Sequence, residues 1–275
     1  MADAATRREF FAVKTVAETL AGFRPARRTP VEAIGLDAAA GVTEVSVHAR
    51  PRVAIVSTGD EVVPPATAAL EVGQVRDASA VALAALVRDA GGAPDPRGIV
   101  PDDRDALHAA LRAAVAECDV VVVSAGSSVG ARDETAAAVA ALGAPGIWTH
   151  GIALRPGKPT LLAEACGVPV IGLPGNPRSA LVVFRLVGMP VVRLVGGMTD
   201  PPPEPSVRAR LERDIPSAAG RLDVVQVAVR DGVATPLFGA SALLSILAAA
   251  DGYVVVTDDA TGLPAGTEVD VTLYR

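Results

Sequence analysis

A chain of 275 residues has room for one large domain or two modest ones, and a half-hydrophobic composition gives it material for a real core. With only 3% aromatic residues, that core is to be filled mostly by Ala, Val and Leu. A net charge of −6 excludes the basic footprint expected for nucleic acid or an anionic membrane, but leaves room for a local site that holds a small anion.

The first predicted element is a short helix over residues 13–23. VEAIGLDAAAGVTEVSVHA (31–49) reads as a weak helix followed by a strand. RVAIVS (52–57) is a β-branched strand that ends at the polar turn TGDE. Apolar residues at helical spacing run over 77–90, and Gly91-Gly92 supplies the stop. A short strand RGIV (97–100) leads into a helix opened by Asp102 or Asp103 as N-cap. DVVVVSAG (119–126) is apolar without interruption, as expected of a strand buried on both faces of a parallel sheet, and a helix over 133–142 follows. PTLLAEA (159–165) and VPVIGLP (168–174) form a predicted hairpin through Cys166-Gly167, and a helix starts at Pro177 and continues to about 194.

Strand–helix units recurring in this way imply right-handed crossovers and an α/β fold with a doubly wound, mostly parallel sheet. GGMTDPPPEP (196–205) is a proline-rich linker. Beyond it, VRARLER, LDVVQVAV, GYVVVTD and TEVDVTLY alternate as short strands, with one helical pattern over 241–250. The expected organisation is a helical and extended segment over 1–49, an α/β domain over 50–197 and a small β-rich domain over 198–275.

The opening residues MADAATRREFFAVKT carry charges where a secretory signal needs an apolar run, and no stretch reaches the roughly 18 apolar residues of a membrane span. A cytoplasmic location without membrane contact is expected. Cys118 and Cys166 lack a C-x-x-C spacing and sit in apolar runs, the pattern of buried free thiols in a reducing compartment. Of the 25 basic residues only Lys14 and Lys158 are lysine, which marks both as candidates for a specific role in a chain that otherwise writes arginine.

Ligands of open α/β sheets sit beyond the carboxyl ends of the strands. Three loops fall at such ends: STGDE (57–61), SAGSSVGARDE (124–134) and GLPGNPRSA (172–180). The small residues Gly126, Ser127, Ser128 and Gly130 let backbone N–H groups approach a phosphate, or else form only a tight turn. The same string fits a G-x-S-x-G nucleophile elbow, but the only histidine after it is His150, too close to leave room for the intervening strands. Thr58, Gly59, Asp60 and Glu61 make a turn whose carboxylates suit Mg²⁺ or simply face solvent. Asp77 is by default an N-cap, and Asp133 can cap equally well. Arg155 and Lys158 flank a Pro-Gly turn that suits an oxyanion or phosphate, or is an ordinary solvated turn. Pro174 and Pro177 bracket Gly175-Asn176 at a helix start on the same expected rim. His48, His108 and His150 have no metal-ligand spacing.

With VAIVSTGDEV (53–62), QVRDASAVALAALVRDAG (74–91), GIVPDD (98–103), DVVVVSAGSSVGARD (119–133), ALRPGKP (153–159) and GLPGNPRSALVVF (172–184) in this order, the chain resembles the molybdopterin molybdenumtransferase family of MoeA and the E domain of gephyrin. GASALLSILAAADGYVVV (239–256) and GLPAGTEVDVTLY (262–274) resemble that family's C-terminal β domain. The resemblance implies a molybdopterin-binding fold, with adenylated molybdopterin and molybdate as substrates, Mg²⁺ as cofactor and AMP as a product. It implies acidic site residues at Glu61, Asp77 and Asp133, with Glu61 and Asp133 toward the metal, and an oxyanion or phosphate ligand at Lys158. It also implies a pocket shaped by Pro174 and Pro177, and as partners a homodimer or other proteins of molybdenum-cofactor biosynthesis. The alternative is a non-catalytic module that binds, carries or senses the cofactor. The chain departs from the family at Ala125 and Ser127 in the phosphate loop, at Arg155 where lysine is usual, and at Ser79 where asparagine is usual. Nothing resembles the D-N-S-A-M-D-G-Y-A motif or the lobe that carries it.

Overall fold

The computed structural model describes residues 13–35, 44–124, 129–240 and 242–274, side chains at 35 and 129–133 apart. Helix α1 (Val16–Gly22) starts at a capping box. The Glu18 N–H donates to the Thr15 hydroxyl at 3.1 Å, and the Thr15 N–H donates back to Glu18 at 2.8 Å. Strands β1 (Val31–Gly35) and β2 (Glu44–His48) then pair antiparallel with Val31 opposite His48. A helix was expected over the first half of this stretch. Five residues of ladder to β2 hold residues 31–35 as a strand instead, and residues 36–43 lie outside the described residues.

The α/β unit follows as β3 (Arg52–Thr58), the short pair β4 (Val62–Val63) and β5 (Val75–Arg76), α2 (Ala78–Asp89), β6 (Ala93–Val100), α3 (Arg104–Glu117), β7 (Val120–Ser124), α4 (Val129–Ala140), β8 (Pro145–His150), β9 (Leu154–Arg155), β10 (Leu161–Ala165), β11 (Val168–Leu173) and α5 (Pro177–Val183), which continues through a π-helical turn, Phe184–Gly188, into α6 (Met189–Val195). Six strands form one sheet in the order β6-β3-β7-β11-β10-β8, and only β10 runs against its neighbours.

The uninterrupted apolar runs of β3 and β7 are explained by two-sided burial. Val53, Ile55, Val120 and Val122 pack with Leu83 and Val87 of α2 and with Val183, Val191 and Val192 of α5 and α6. The alternate residues Ala54, Val56, Val121 and Val123 pack with Leu107, Leu111 and Ala114 of α3 and Ala138 and Val139 of α4. One residue of register slip would exchange the two cores. Strand β6 extends four residues N-terminal to the predicted RGIV. The added residues include Pro94 and Pro96, which fit because β6 is an edge strand, where a missing N–H costs no ladder bond.

The β10–β11 hairpin turns at Cys166-Gly167 as expected, with Ala165 opposite Val168. Cys166 is exposed there, contrary to the buried thiol expected of it. A two-residue turn, with Cys166 at φ 52°, has no room to face the core. Cys118 is buried.

The C-terminal strands are β12 (Ser206–Leu211), β13 (Ile215–Pro216), β14 (Leu222–Arg230), β15 (Val233–Pro236), β16 (Gly252–Val256), β17 (Gly262–Leu263) and β18 (Glu268–Leu273), with helix α7 (Leu244–Ala249) between β15 and β16. Five of them pair in the order β15-β12-β18-β16-β14, and β14 pairs again with β15, so the sheet closes into a barrel. Leu211, Val227, Val254, Val256, Val269 and Val271 pack together in its core. Strand β9 of the α/β unit pairs parallel with β14, Arg155 opposite Asp223, and ties the barrel to the sheet. No helix among the described residues is long and apolar enough to cross a membrane.

Candidate functional site

Register sets the site. Ser57 of β3 pairs with Ser124 of β7, and Ser124 pairs with Leu173 of β11, so the loops after these strands leave the sheet from a single row. Thr58 pairs with Val100 at the end of β6. Strand β10 is antiparallel, with Leu161 beside Gly172, so the segment that enters it, residues 151–160, arrives at this same edge. The rim therefore runs from the β6 end through the turn at 58–61, the end of β7 at Ser124 and the turn at 174–177 to the Arg155–Lys158 turn.

Its first end is acidic. The backbone turns sharply at Gly59 (φ 136°), where a Cβ would stand 2.7 Å from a Glu61 carboxylate oxygen. Only glycine lets Glu61 fold back over the turn. The Asp102 N–H donates to the Asp60 carboxylate at 3.1 Å. Burial pushes the Asp102 carboxyl up from the usual 3.8, and the charges of Asp60 and Glu61 push it further. Its protonated form therefore stabilises the fold below the ordinary carboxylate range, and that contribution is lost as pH rises through the raised value. Asp102→Asn is expected to raise the unfolding free energy from urea denaturation at pH 7 by about 0.5 kcal/mol or less, with the gain vanishing toward pH 3. A gain equal at both pH values would count against this account.

Asp77 is the N-cap of α2, accepting the Ala80 N–H at 3.0 Å, and its second oxygen accepts the buried Ser57 hydroxyl at 2.5 Å. It thus fastens the helix start to the last turn of β3, at 7% exposure. Asparagine can still cap but weakens the bond from Ser57. Asp77→Asn is accordingly expected to cost about 1 kcal/mol in chemical denaturation.

The other end is cationic. A cleft of about 820 Å³ opens between the rim and the barrel, lined by Arg155, Lys158, Pro174, Gly175, Asn176 and Arg178 from the α/β unit and by Arg221 and Asp223 from the barrel. Four cations thus face one carboxylate in a chain of net charge −6. Asp223 is nearly buried and accepts from Arg221 at 2.8 Å and from Arg155 at 3.4 Å. Lys158 is exposed, and its side chain has no ion-pair partner among the described residues. Such a cluster suits a small multivalent anion.

The sequence-predicted residues divide between these ends. Thr58, Gly59, Asp60, Glu61 and Asp77 lie at the acidic end. Arg155, Lys158, Pro174, Gly175 and Asn176 line the cleft, with Pro177 the first residue of α5. Gly126, Ser127 and Ser128 lie outside the described residues. Gly130 and Asp133 fall within α4, but the side chain of Asp133 is outside the description. Sequence reasoning missed Asp102, Arg178, Arg221 and Asp223. Arg178 stood within a quoted motif but read only as a helical residue.

Residues 54–194 match the family model of a probable molybdopterin binding domain, and residues 208–274 match that of the MoeA C-terminal region, domain IV. The molybdopterin molybdenumtransferase 2 of Mycobacterium tuberculosis is 34% identical over 245 residues, 86% of this chain and 60% of that protein. The molybdopterin molybdenumtransferase of a Nostoc species is 42% identical over 168 residues, 60% of this chain and 38% of that protein. The crystal structure of the molybdopterin biosynthesis MoeA protein from Pyrococcus horikoshii superposes with a TM-score of 0.75 at 35% identity, covering 86% of this chain and 57% of that one. The chain thus spans 60% of the length of its Mycobacterium relative.

Proposed function

This chain belongs to the molybdopterin molybdenumtransferase family typified by MoeA, and from that membership we propose that it binds adenylated molybdopterin and inserts molybdate into it, with release of AMP. The observation that carries the reading is the single rim that gathers the glycine- and acid-containing turn after β3, the end of β7 at Ser124, the turn after β11 and the Arg155–Lys158 turn that leads into β10, acidic at one end and cationic at the other. Lys158 and Arg155 hold the substrate's oxyanion or phosphate in the cleft. Pro174 and Pro177 fix the turn that forms its wall. The small residues Gly126, Ser127, Ser128 and Gly130 offer backbone N–H groups to phosphate. Asp77 keeps the start of α2 against β3, so the acidic turn holds its shape.

Mg²⁺ fits the acidic end as a partial site. Among the described residues no three acidic, histidine or cysteine side chains make a ready cage for a metal. Burial is the main cause that raises Asp102, but the charges of Asp60 and Glu61 raise it further, and a cation would relieve that local repulsion. Glu61 and Asp133 would hold the ion, with water and substrate phosphate completing its shell, as this small cation prefers. When bound it supplies charge neutralisation at the phosphoanhydride that gives up AMP.

The test is to mix the purified chain with adenylated molybdopterin, Mg²⁺ and molybdate, and to follow bound pterin and released AMP. AMP release that requires both ions is expected. Stoichiometric retention of the pterin without AMP would overturn transfer in favour of a carrier or sensor. Absence of binding would overturn both.

A further inference from the structure

Arg178 lines the cleft as one of its four cations, yet unlike Arg155 and Lys158 it has been given no part in holding the substrate. It sits just inside α5, on the side of the cleft facing the barrel, and one guanidinium nitrogen donates to the Gly239 carbonyl at 2.8 Å. That bond ties the α/β unit to the barrel segment that follows β15. The guanidinium has no acid partner among the described residues. Its Nε is buried and has no hydrogen-bond partner among the described residues. Asp223, the one acid among the described residues that line the cleft, is taken by Arg155 and Arg221.

Burial pulls the Arg178 guanidinium down from its usual pKa. Tyr274 opposes that pull, and the charge of Arg155 adds to it. The group remains protonated all the same, since arginine does not lose its proton in proteins. A buried, unpaired N–H on a fixed charge costs free energy that a folded protein ordinarily avoids. An anion bound in the cleft that Arg178 lines, beside Arg155 and Lys158, offsets the cost of its unpaired charge.

We propose that Arg178 is a binding residue for the tetrahedral oxyanion of the substrates, acting beside Arg155 and Lys158 in the cleft between sheet and barrel. The inference rests on the functional reading above and adds a third cation to its anion site. Two sources carry this chemistry, molybdate itself and the phosphate of the adenylated pterin. The guanidinium's planar fork can donate to oxygens of either, while its bond to the Gly239 carbonyl keeps the barrel wall in place around the bound anion.

The probes are sodium molybdate and inorganic phosphate, each titrated calorimetrically into the full chain, wild type, Arg178→Gln and Arg178→Lys. Arg178→Gln is expected to weaken the preferred oxyanion by about tenfold or more, the loss typical of a hydrogen bond to a charged group. Arg178→Lys is expected to recover part of that loss through charge alone. A weakened molybdate with phosphate unchanged assigns the site to molybdate, and the reverse assigns it to the phosphate arm. Thermal melts of each variant without ligand separate lost binding from lost folding. If Arg178→Gln does not fold, the Arg178→Lys titration decides, and affinity equal to wild type overturns the proposal. Wild-type binding of the adenylated pterin, measured alongside, keeps the two claims apart. Retained oxyanion affinity in Arg178→Gln, with pterin bound and AMP released by wild type, overturns Arg178 alone. No binding of pterin or oxyanion by wild type overturns the functional reading with it.

Discussion

Alanine at position 157 is expected to lower the unfolding free energy by about 2–4 kcal/mol and to loosen oxyanion binding about tenfold or more. Gly157 lies in the turn that carries Arg155 and Lys158, at φ 139°, a region nearly closed to residues with a Cβ. Space is as restrictive as the backbone. A Cβ there would stand 2.5 Å from Val183 Cγ2 and 3.0 Å from Leu154 Cδ2. Val183 closes α5 and Leu154 lies in β9, and both are buried in the main core, so neither can yield without opening it. The turn is also closed on itself, since the Gly157 carbonyl accepts the Thr160 hydroxyl at 2.6 Å. The added methyl must therefore displace the whole turn, and the two cations move with it. Urea denaturation measures the first effect and molybdate or phosphate titration the second. An alanine variant with wild-type midpoint and affinity would show that the turn is neither tight nor part of the site.

That turn also marks where the sequence stopped being legible. The sheet was readable because β3 and β7 are apolar on both faces, a pattern that only a covered parallel sheet explains. The loops were readable because Gly59, Pro174 and Pro177 punctuate the chain locally, and Asp77 announced its capping role by preceding a helical run. Its bond from Ser57, twenty residues earlier, carried no such local mark. Strand β9 was invisible for a stronger reason. It is two residues long and exists only because β14 pairs with it, Arg155 meeting Asp223 across 68 positions of sequence. Without that pairing nothing brings Arg221 and Asp223 to the rim, and nothing gives Arg178 a cleft to face. The cationic end was thus predicted as a turn with two charges, where the structure has four charges and a wall.

Lys158→Ala is expected to cut release of AMP from adenylated molybdopterin by about a hundredfold or more, with little change in the thermal midpoint. The separation follows from how the residue is attached. Its backbone carbonyl accepts the Ile152 N–H at 3.0 Å and serves the fold, whereas its side chain is exposed and pairs with no acid among the described residues. Removing the ammonium therefore breaks no ion pair among the described residues, and surface truncations of that kind stay within about 0.5 kcal/mol. Arg155 offers no such clean experiment, because its guanidinium also reaches the nearly buried Asp223, which would be left to Arg221 alone. A lysine whose charge meets an anion only when substrate is bound contributes to the complex and not to the free protein. Lys158→Arg, which keeps the charge and changes the donor geometry, is expected to fall between wild type and alanine. Equal turnover in all three would move the oxyanion away from this turn. A parallel fall in midpoint and turnover would instead make Lys158 a structural residue, and leave Arg178 and Arg221 to hold the anion.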